Sequence, residues 1–169
     1  KDQFKYGNST THVFLSGTAE IKRFSKKTNP NISIQGIDEN YMRIRDYNIE
    51  KGRNFTELDI QNNVNLALIG TEVAKALFEK KEDPLNQMIS FYGTQFKIIG
   101  MLEEKGGIGG NTSADRTIFI PIGAAIRISG RGDLNFALTV QANDPARLDE
   151  VMGEATGLMR TIRRDPLGE

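Results

Sequence analysis

The chain has no cysteine and a single histidine, His12. The first absence excludes disulfides and thiolate metal sites, and it fits a bacterial envelope or a cytosol equally well. The second leaves no histidine cluster for a metal and only one residue on which a Ser/His/Asp relay could be built. Lying near a polar N-terminus, His12 reads as a solvent-exposed or strand-edge residue. Charge of one sign is not in excess: Lys+Arg and Asp+Glu are both 22, so nothing draws the whole molecule toward nucleic acid or an anionic membrane. Tyr6, Tyr41, Tyr47 and Tyr92 are scattered, without the basic interleaving of a base-stacking surface. No run approaches the roughly 18 apolar residues of a membrane span; Ile118 to Ile128 is interrupted by Pro121, Gly123 and Arg127. No signal-peptide pattern is present. The chain starts at Lys1 and stops after the turn-like Asp165-Pro166-Leu167-Gly168, so it reads as a piece of something longer, with any membrane helices outside it.

What is present is ordinary globular composition, 38% hydrophobic and 26% charged over 169 residues, enough for one domain of two lobes or two small subdomains. Residues 1–11 are polar and read as frayed. Val13 to Phe24 suggests a strand or a hairpin kinked near Gly17, Lys26 to Asn31 a turn, and Ile32 to Ile37 a half-buried strand. Tyr41 to Arg45 has room for one helical turn. Val64 to Ile69 is a short apolar run ending at Gly70, after which Thr71 can cap a helix to about Glu79 with Val73, Ala74, Leu77 and Phe78 inward. Met88–Phe91 and Phe96–Leu102 flank a hairpin turn assigned to Gly93-Thr94. Thr117 to Ile120 and Phe136 to Gln141 are further strands, the second with Phe136, Leu138 and Val140 on one face. Asp144 and Pro145 open a last helix whose Leu148, Val151, Ala155, Leu158/Met159 and Ile162 recur at helical spacing. Arg160, Arg163 and Arg164 suit its C-terminal end. Strands with one short central helix and one long late helix make an α+β pattern.

Few local motifs carry chemistry. Gly106-Gly107-Ile108-Gly109-Gly110-Asn111 lacks the following helix and the Lys-Ser/Thr pair of a phosphate loop, and reads as a surface loop between strands. Arg131-Gly132-Asp133 and the sequons at Asn8, Asn54 and Asn111 match by chance often enough to carry nothing. Carboxylates at Asp38-Glu39, Glu103-Glu104 and Glu79/Glu82/Asp83 fall in segments that look exposed or turn-like, and nothing places two of them across a cleft. Gly52-Arg53-Asn54-Phe55-Thr56-Glu57-Leu58-Asp59 reads structurally: Gly52 for a special backbone angle, Asp59 capping or pairing with Arg53, Phe55 packed beneath.

From Ile34 to about Asp165 the chain resembles the MacB-type periplasmic core domain found in ABC-transporter permeases. Ordered blocks carry the resemblance: Gly36-Ile37 with Tyr41, then Ile49 and Gly52-Arg53-x-Phe55-x-x-x-Asp59, then Val64-x-Leu66-Ala67-Leu68-Ile69-Gly70 with Val73-Ala74 and Leu77-Phe78. Asp83-Pro84-Leu85, Phe96-x-Ile98-Ile99-Gly100-Met101-Leu102, the Gly-rich loop and Asp115-Arg116-x-Ile118-x-Ile120-Pro121 follow. Asn86 departs from the family's glycine at that position, although Asn tolerates a left-handed backbone. The resemblance implies two lobes: a porter-like lobe of residues 1–49 and 117–169, and an inserted small α/β (Sabre-like) lobe of residues 50–116. It implies a non-catalytic, extracytoplasmic domain without a cofactor, set between two membrane helices of a permease at the bacterial inner membrane. The permease would be a homodimer working with a cytoplasmic ATPase and contacting an envelope adaptor, carrier or cargo; the isolated domain would be a monomer. A lipoprotein-releasing or cell-division relative, recruiting a carrier or a cell-wall hydrolase, is the alternative. Lys105, Gly106, Gly107, Ile108, Gly109, Gly110 and Asn111 are the expected partner-contact loop, and Gly52, Arg53, Phe55, Asp59, Gly70, Pro84 and Pro121 the structural motif positions.

Overall fold

The computed structural model describes residues 7–104, 114–130 and 134–163, with side chains described as far as Thr161. In chain order the elements are β1 (Gly7–Ala19), β2 (Lys22–Arg23), β3 (Lys26–Lys27), β4 (Ile32–Ile37), α1 (Tyr41–Ile44), β5 (Ile49–Gly52), α2 (Glu57–Gln61), β6 (Leu66–Ile69), α3 (Thr71–Leu77), β7 (Met88–Phe91), β8 (Thr94–Leu102), β9 (Thr117–Pro121), α4 (Ile122–Ile128), β10 (Phe136–Ala142) and α5 (Leu148–Arg163). The strands form one mixed sheet in the order β10-β1-β4-β9-β6-β8-β7-β2-β3, with β5 paired to β8 off this path. The β4–β9 and β6–β8 pairs are parallel and the remainder antiparallel.

Period-two alternation divides the central strands between two cores. Ile69 and Ile118 face a larger core shared with Val73, Ala74 and Leu77 of α3 and Ala124 and Ala125 of α4. Their neighbours Leu68 and Phe119 face a second core with Tyr41, Met42 and Phe55. The register pairs Leu68 with Phe119 and Ile69 with Ile118, so both cores meet across one strand junction. Every residue of β9 is buried, which is why Ile118–Pro121 reads as a continuous apolar run instead of alternating.

Several expectations change. Residues 7–11, taken as frayed, are strand: β1 pairs with β10 from Gly7↔Ala142 to Val13↔Phe136. Pairing with β10, together with the Thr11 amide donating to Asp38 Oδ2, satisfies this polar backbone, so a strand forms without an apolar pattern. Residues 1–6 lie outside the described residues. The kink near Gly17 appears as register shifts at Phe14/Ser16 and Ser16/Ala19. Lys26–Lys27, expected in a turn, is β3. The hairpin turn is Tyr92-Gly93, not Gly93-Thr94: Phe91 pairs with Thr94, and φ is 48° at Tyr92 and 71° at Gly93. Two positive φ values are the mark of a mirror-image turn, whose twist matches the strands. Gly70 is the N-cap of α3, Thr71 its first residue and Phe78 its C-cap, so the helix ends at Leu77, two residues short of Glu79. Helices α2 and α4 were not expected; Gly123 and Arg127 resemble breaks in sequence but sit inside α4.

Candidate functional site

The Gly52–Asp59 corner is a structural device. Gly52 has φ +85°, and a Cβ there would lie 2.2 Å from the Ile99 carbonyl oxygen. Thr56 is the N-cap of α2, with its Oγ1 accepting from Asp59 N at 3.2 Å while Asp59 Oδ2 accepts from Thr56 N at 2.9 Å, a reciprocal capping box. Arg53 Nη1 donates to Asp59 Oδ2 at 2.6 Å and to the Asn54 carbonyl at 2.9 Å. Phe55 is buried in the second core. Arg53 is thus engaged with the cap. Its guanidinium, more than the Thr56 bonds, holds the Asp59 carboxyl down at about 2 against an ordinary 3.8. A depressed carboxylate stabilises fully above its unfolded value, and that contribution disappears as pH falls from 3.8 through about 2. Thr56→Ala is expected to cost about 1 kcal/mol in urea unfolding. Asp59→Asn is expected to flatten the acid limb of stability against pH in that window; an unchanged limb would show that the pairing is not maintained in solution.

The expected contact segment, Lys105 to Asn111, lies outside the described residues. Its flanks do not, and both are fixed on α3. On the leaving side Lys75 Nζ donates to Glu104 Oε1 at 2.9 Å. On the returning side Thr71 Oγ1 donates to Asp115 Oδ1 at 3.1 Å, Glu72 N to the Asp115 carbonyl at 3.0 Å, and Arg116 pairs with Glu72. Gly70 is required by the same junction, since a Cβ there would meet the Asp115 and Ala114 carbonyl oxygens at 2.3 and 2.4 Å. Pro84 precedes Asn86, whose φ of 63° is the left-handed turn tolerated by Asn. Pro121 closes β9 opposite Ile37 and opens α4.

Asp38, expected among the exposed or turn-like carboxylates, is buried. Its Oδ1 accepts from Thr10 Oγ1 at 2.6 Å and from the amides of Asn40 and Tyr41 at 3.1 Å, and its Oδ2 from Thr11 N at 2.8 Å. It joins β1 to the start of α1. His12 is not at an edge: β1 runs between β10 and β4, and the imidazole is half-buried 5.0 Å from the Tyr41 ring, with Nδ1 buried and unpartnered. Burial first, and Arg45 second, lower its pKa, with Asp38 opposing. Among the described residues, no three His, Asp or Glu side chains converge as a metal site.

Asp144 opens the late helix through Ala146 N at 2.9 Å, leading through the turn Pro145–Arg147 into α5. Of the face expected to turn inward, only Val151 is buried; Leu148 is 51% exposed, Ala155, Leu158 and Met159 are half-buried, and the Ile162 side chain lies outside those described. Phe136, Leu138 and Val140 do share a face, and with Ala155 and Met159 they line a shallow groove of about 530 Å³. The late helix rests on the edge strand β10. Among the described residues, no helix is long and apolar enough to cross a membrane.

A family model for the MacB-like periplasmic core domain matches residues 8–158. The macrolide export ATP-binding/permease protein MacB of Bdellovibrio bacteriovorus is 32% identical over 152 residues, 90% of this chain and 23% of that protein. The pyoverdine export ATP-binding/permease protein PvdT of Pseudomonas syringae pv. syringae is 29% identical over 130 residues, 76% of this chain and 20% of that protein. The chain therefore spans roughly a fifth of the length of the curated relatives it matches. In fold it is similar to the periplasmic region of MacB from Actinobacillus actinomycetemcomitans, with TM-score 0.76 at 20% identity over 94% of this chain and 68% of that one. The extracellular domain of the noncanonic ABC-type transporter YknZ from Gram-positive bacteria gives TM-score 0.73 at 20% identity over 96% and 78%.

Proposed function

The chain belongs to the MacB-like periplasmic core domain family, and from that membership we propose that it is the extracytoplasmic domain of an ABC-transporter permease, a mechanical element that performs no chemistry itself. In this reading the parent permease sits in the bacterial inner membrane as a homodimer, with membrane helices on both flanks of the domain and a cytoplasmic ATPase driving them. The domain passes their motion to an envelope adaptor or an exported cargo. The relatives are named for macrolide and pyoverdine export, which favours export over a lipoprotein-releasing or cell-division role.

The observation that carries the reading is the unbroken strand order from β10, on which α5 rests, to the β2–β3 hairpin. Strand-to-strand backbone hydrogen bonds resist shear, so a displacement of α5 reaches the far end of the sheet without needing a hinge. The division into residues 1–49 with 117–169 and an inserted 50–116 is part of the proposal; the two segments meet in the sheet at two places, where β9 pairs with β6 and where β2 pairs with β7. In the parent permease, a flexible Gly/Ser insertion after Arg163 is expected to abolish transport while leaving ATP hydrolysis measurable. Unchanged transport would defeat the lever. Lys105 to Asn111 is the proposed contact loop. Because both flanks are held on α3, deleting residues 106–110 is expected to leave the melting temperature of the domain unchanged while partner binding and transport fall; no change in either would remove the loop from the proposal.

A further inference from the structure

The ladder that ties β1 to β4 ends at the His12↔Ile37 pair. Before it, Gly7 to Thr11 are strand-paired to β10. On the side that β4 has left, the buried Asp38 carboxylate takes over, accepting from Thr10 Oγ1 at 2.6 Å and from Thr11 N at 2.8 Å. The outer end of the sheet, made of β10, α5 and the start of β1, is therefore attached to the body by the β4 ladder and by this carboxylate clasp. His12 stands where the two attachments meet.

The imidazole packs beside Tyr41 of α1, and its Nδ1 is buried without a hydrogen-bond partner. A neutral imidazole can leave one nitrogen as an unused acceptor. An imidazolium carries a proton on both nitrogens, so the buried Nδ1 becomes a charged donor with nothing to accept it. The groups around the ring offer little relief. Arg45, the C-cap of α1, adds a second positive charge that opposes protonation. Asp38 favours protonation, but its oxygens already accept from Thr10, Thr11, Asn40 and Tyr41. The Tyr41 hydroxyl is engaged with Gln35 Oε1 at 3.2 Å. Ala137 of β10 and Ile37 of β4, directly opposite His12, bring no titratable group. Helix α5 lies across the other face, where Val151 and Val140 meet at Gly7.

We infer that His12 is an acid-released pin for the β10–α5 end of the sheet. Neutral, the ring stays packed on Tyr41 and the Asp38 clasp on Thr10 and Thr11 holds. Protonated, the ring leaves its site toward water, and the clasp loosens with it. Burial, and after it Arg45, lower the pKa of His12 below its ordinary 6.5. The folded chain therefore binds fewer protons than the opened one below that value. The stabilisation is complete above 6.5 and is lost as pH falls through 6.5 toward the lower folded value. Asp59 discharges only below 3.8, so its acid limb lies outside this window. The pin holds or fails whether or not the domain transmits motion, so its failure leaves the transport reading intact.

The test is NMR on the isotopically labelled full chain from about pH 8 to 5, where a histidine titrates. The ring proton on Cε1 reports the His12 pKa, and hydrogen exchange reports local opening. His12 is expected to titrate below 6.5. Protection factors of Thr10, Thr11 and the β10 amides are expected to fall about tenfold for each pH unit between 6.5 and the folded value, while those of β6 and β9 hold. His12→Gln, and His12→Phe, which keeps a ring beside Tyr41, should each abolish that loss and keep the protection measured at pH 8. Arg45→Gln should move the His12 pKa up toward 6.5, a response that a purely structural residue would not give. A His12 pKa at or above 6.5, the result of a favourable imidazolium contact with the Tyr41 ring, overturns the inference. Constant protection across the window, or the same loss in both His12 variants, overturns it too.

Discussion

Phe119→Ala is expected to remove about 3–5 kcal/mol of stability, the usual loss for truncating a buried phenylalanine. Phe119 is fully buried on the central strand β9, with ring centroids 5.4 Å from Tyr41 and 5.1 Å from Tyr47. Those tyrosines come from α1 and the loop after it, while Ile37, Leu68 and Leu102 reach the same core from three other strands. No single element can move inward to fill the void without breaking its own strand pairing, so the cavity term should be near its maximum. Urea unfolding gives the loss, and near-ultraviolet dichroism should weaken as the two tyrosine rings lose their shared neighbour. Phe136→Ala is the matched control: that ring is 54% exposed on the edge strand and should cost about 1 kcal/mol or less. Equal losses at the two sites would refute the two-core packing described above.

Gly52→Ala is expected to be nearly as damaging, at about 3 kcal/mol, for two separable reasons. The backbone there has φ +85°, which costs an L-residue about 1–2 kcal/mol. The added Cβ would also lie 2.2 Å from the Ile99 carbonyl oxygen and 2.8 Å from Gly100 Cα, main-chain atoms of β8 that cannot rotate aside. Relief requires β5 to leave β8 at the Gly52↔Gly100 pair. Gly93→Ala isolates the first reason: φ is +71° and nothing lies within 4 Å of the new Cβ, so only the strain of about 1 kcal/mol remains. The difference between the two melting shifts measures the clash, and indistinguishable variants would show that β5 does not close on β8 as described.

These two positions mark how far the residues alone could be read. Gly52, Phe55, Asp59 and Arg53 were assigned their roles from spacing, because a turn glycine, a cap and its partner act within eight residues of chain. Asn86 and the α5 opening at Asp144-Pro145 are local in the same sense. Phe119, by contrast, is only one apolar residue in the run Ile118 to Ile128, and nothing in that run says that β9 ends at Pro121 and a helix begins. The β1 residues 7–11 were missed because β10, more than a hundred residues away, supplies their pairing.

The composition class, most strand and helix segments, the capped corner at Gly52–Asp59 and the family resemblance are legible from residues in order along the chain, because each depends on neighbours in sequence. Tertiary structure alone decided the strand order, the burial of Asp38 and His12, and the exposure of the α5 face. Each of these turns on contacts between distant segments, and burial is a property of what packs against a residue, not of the residue itself.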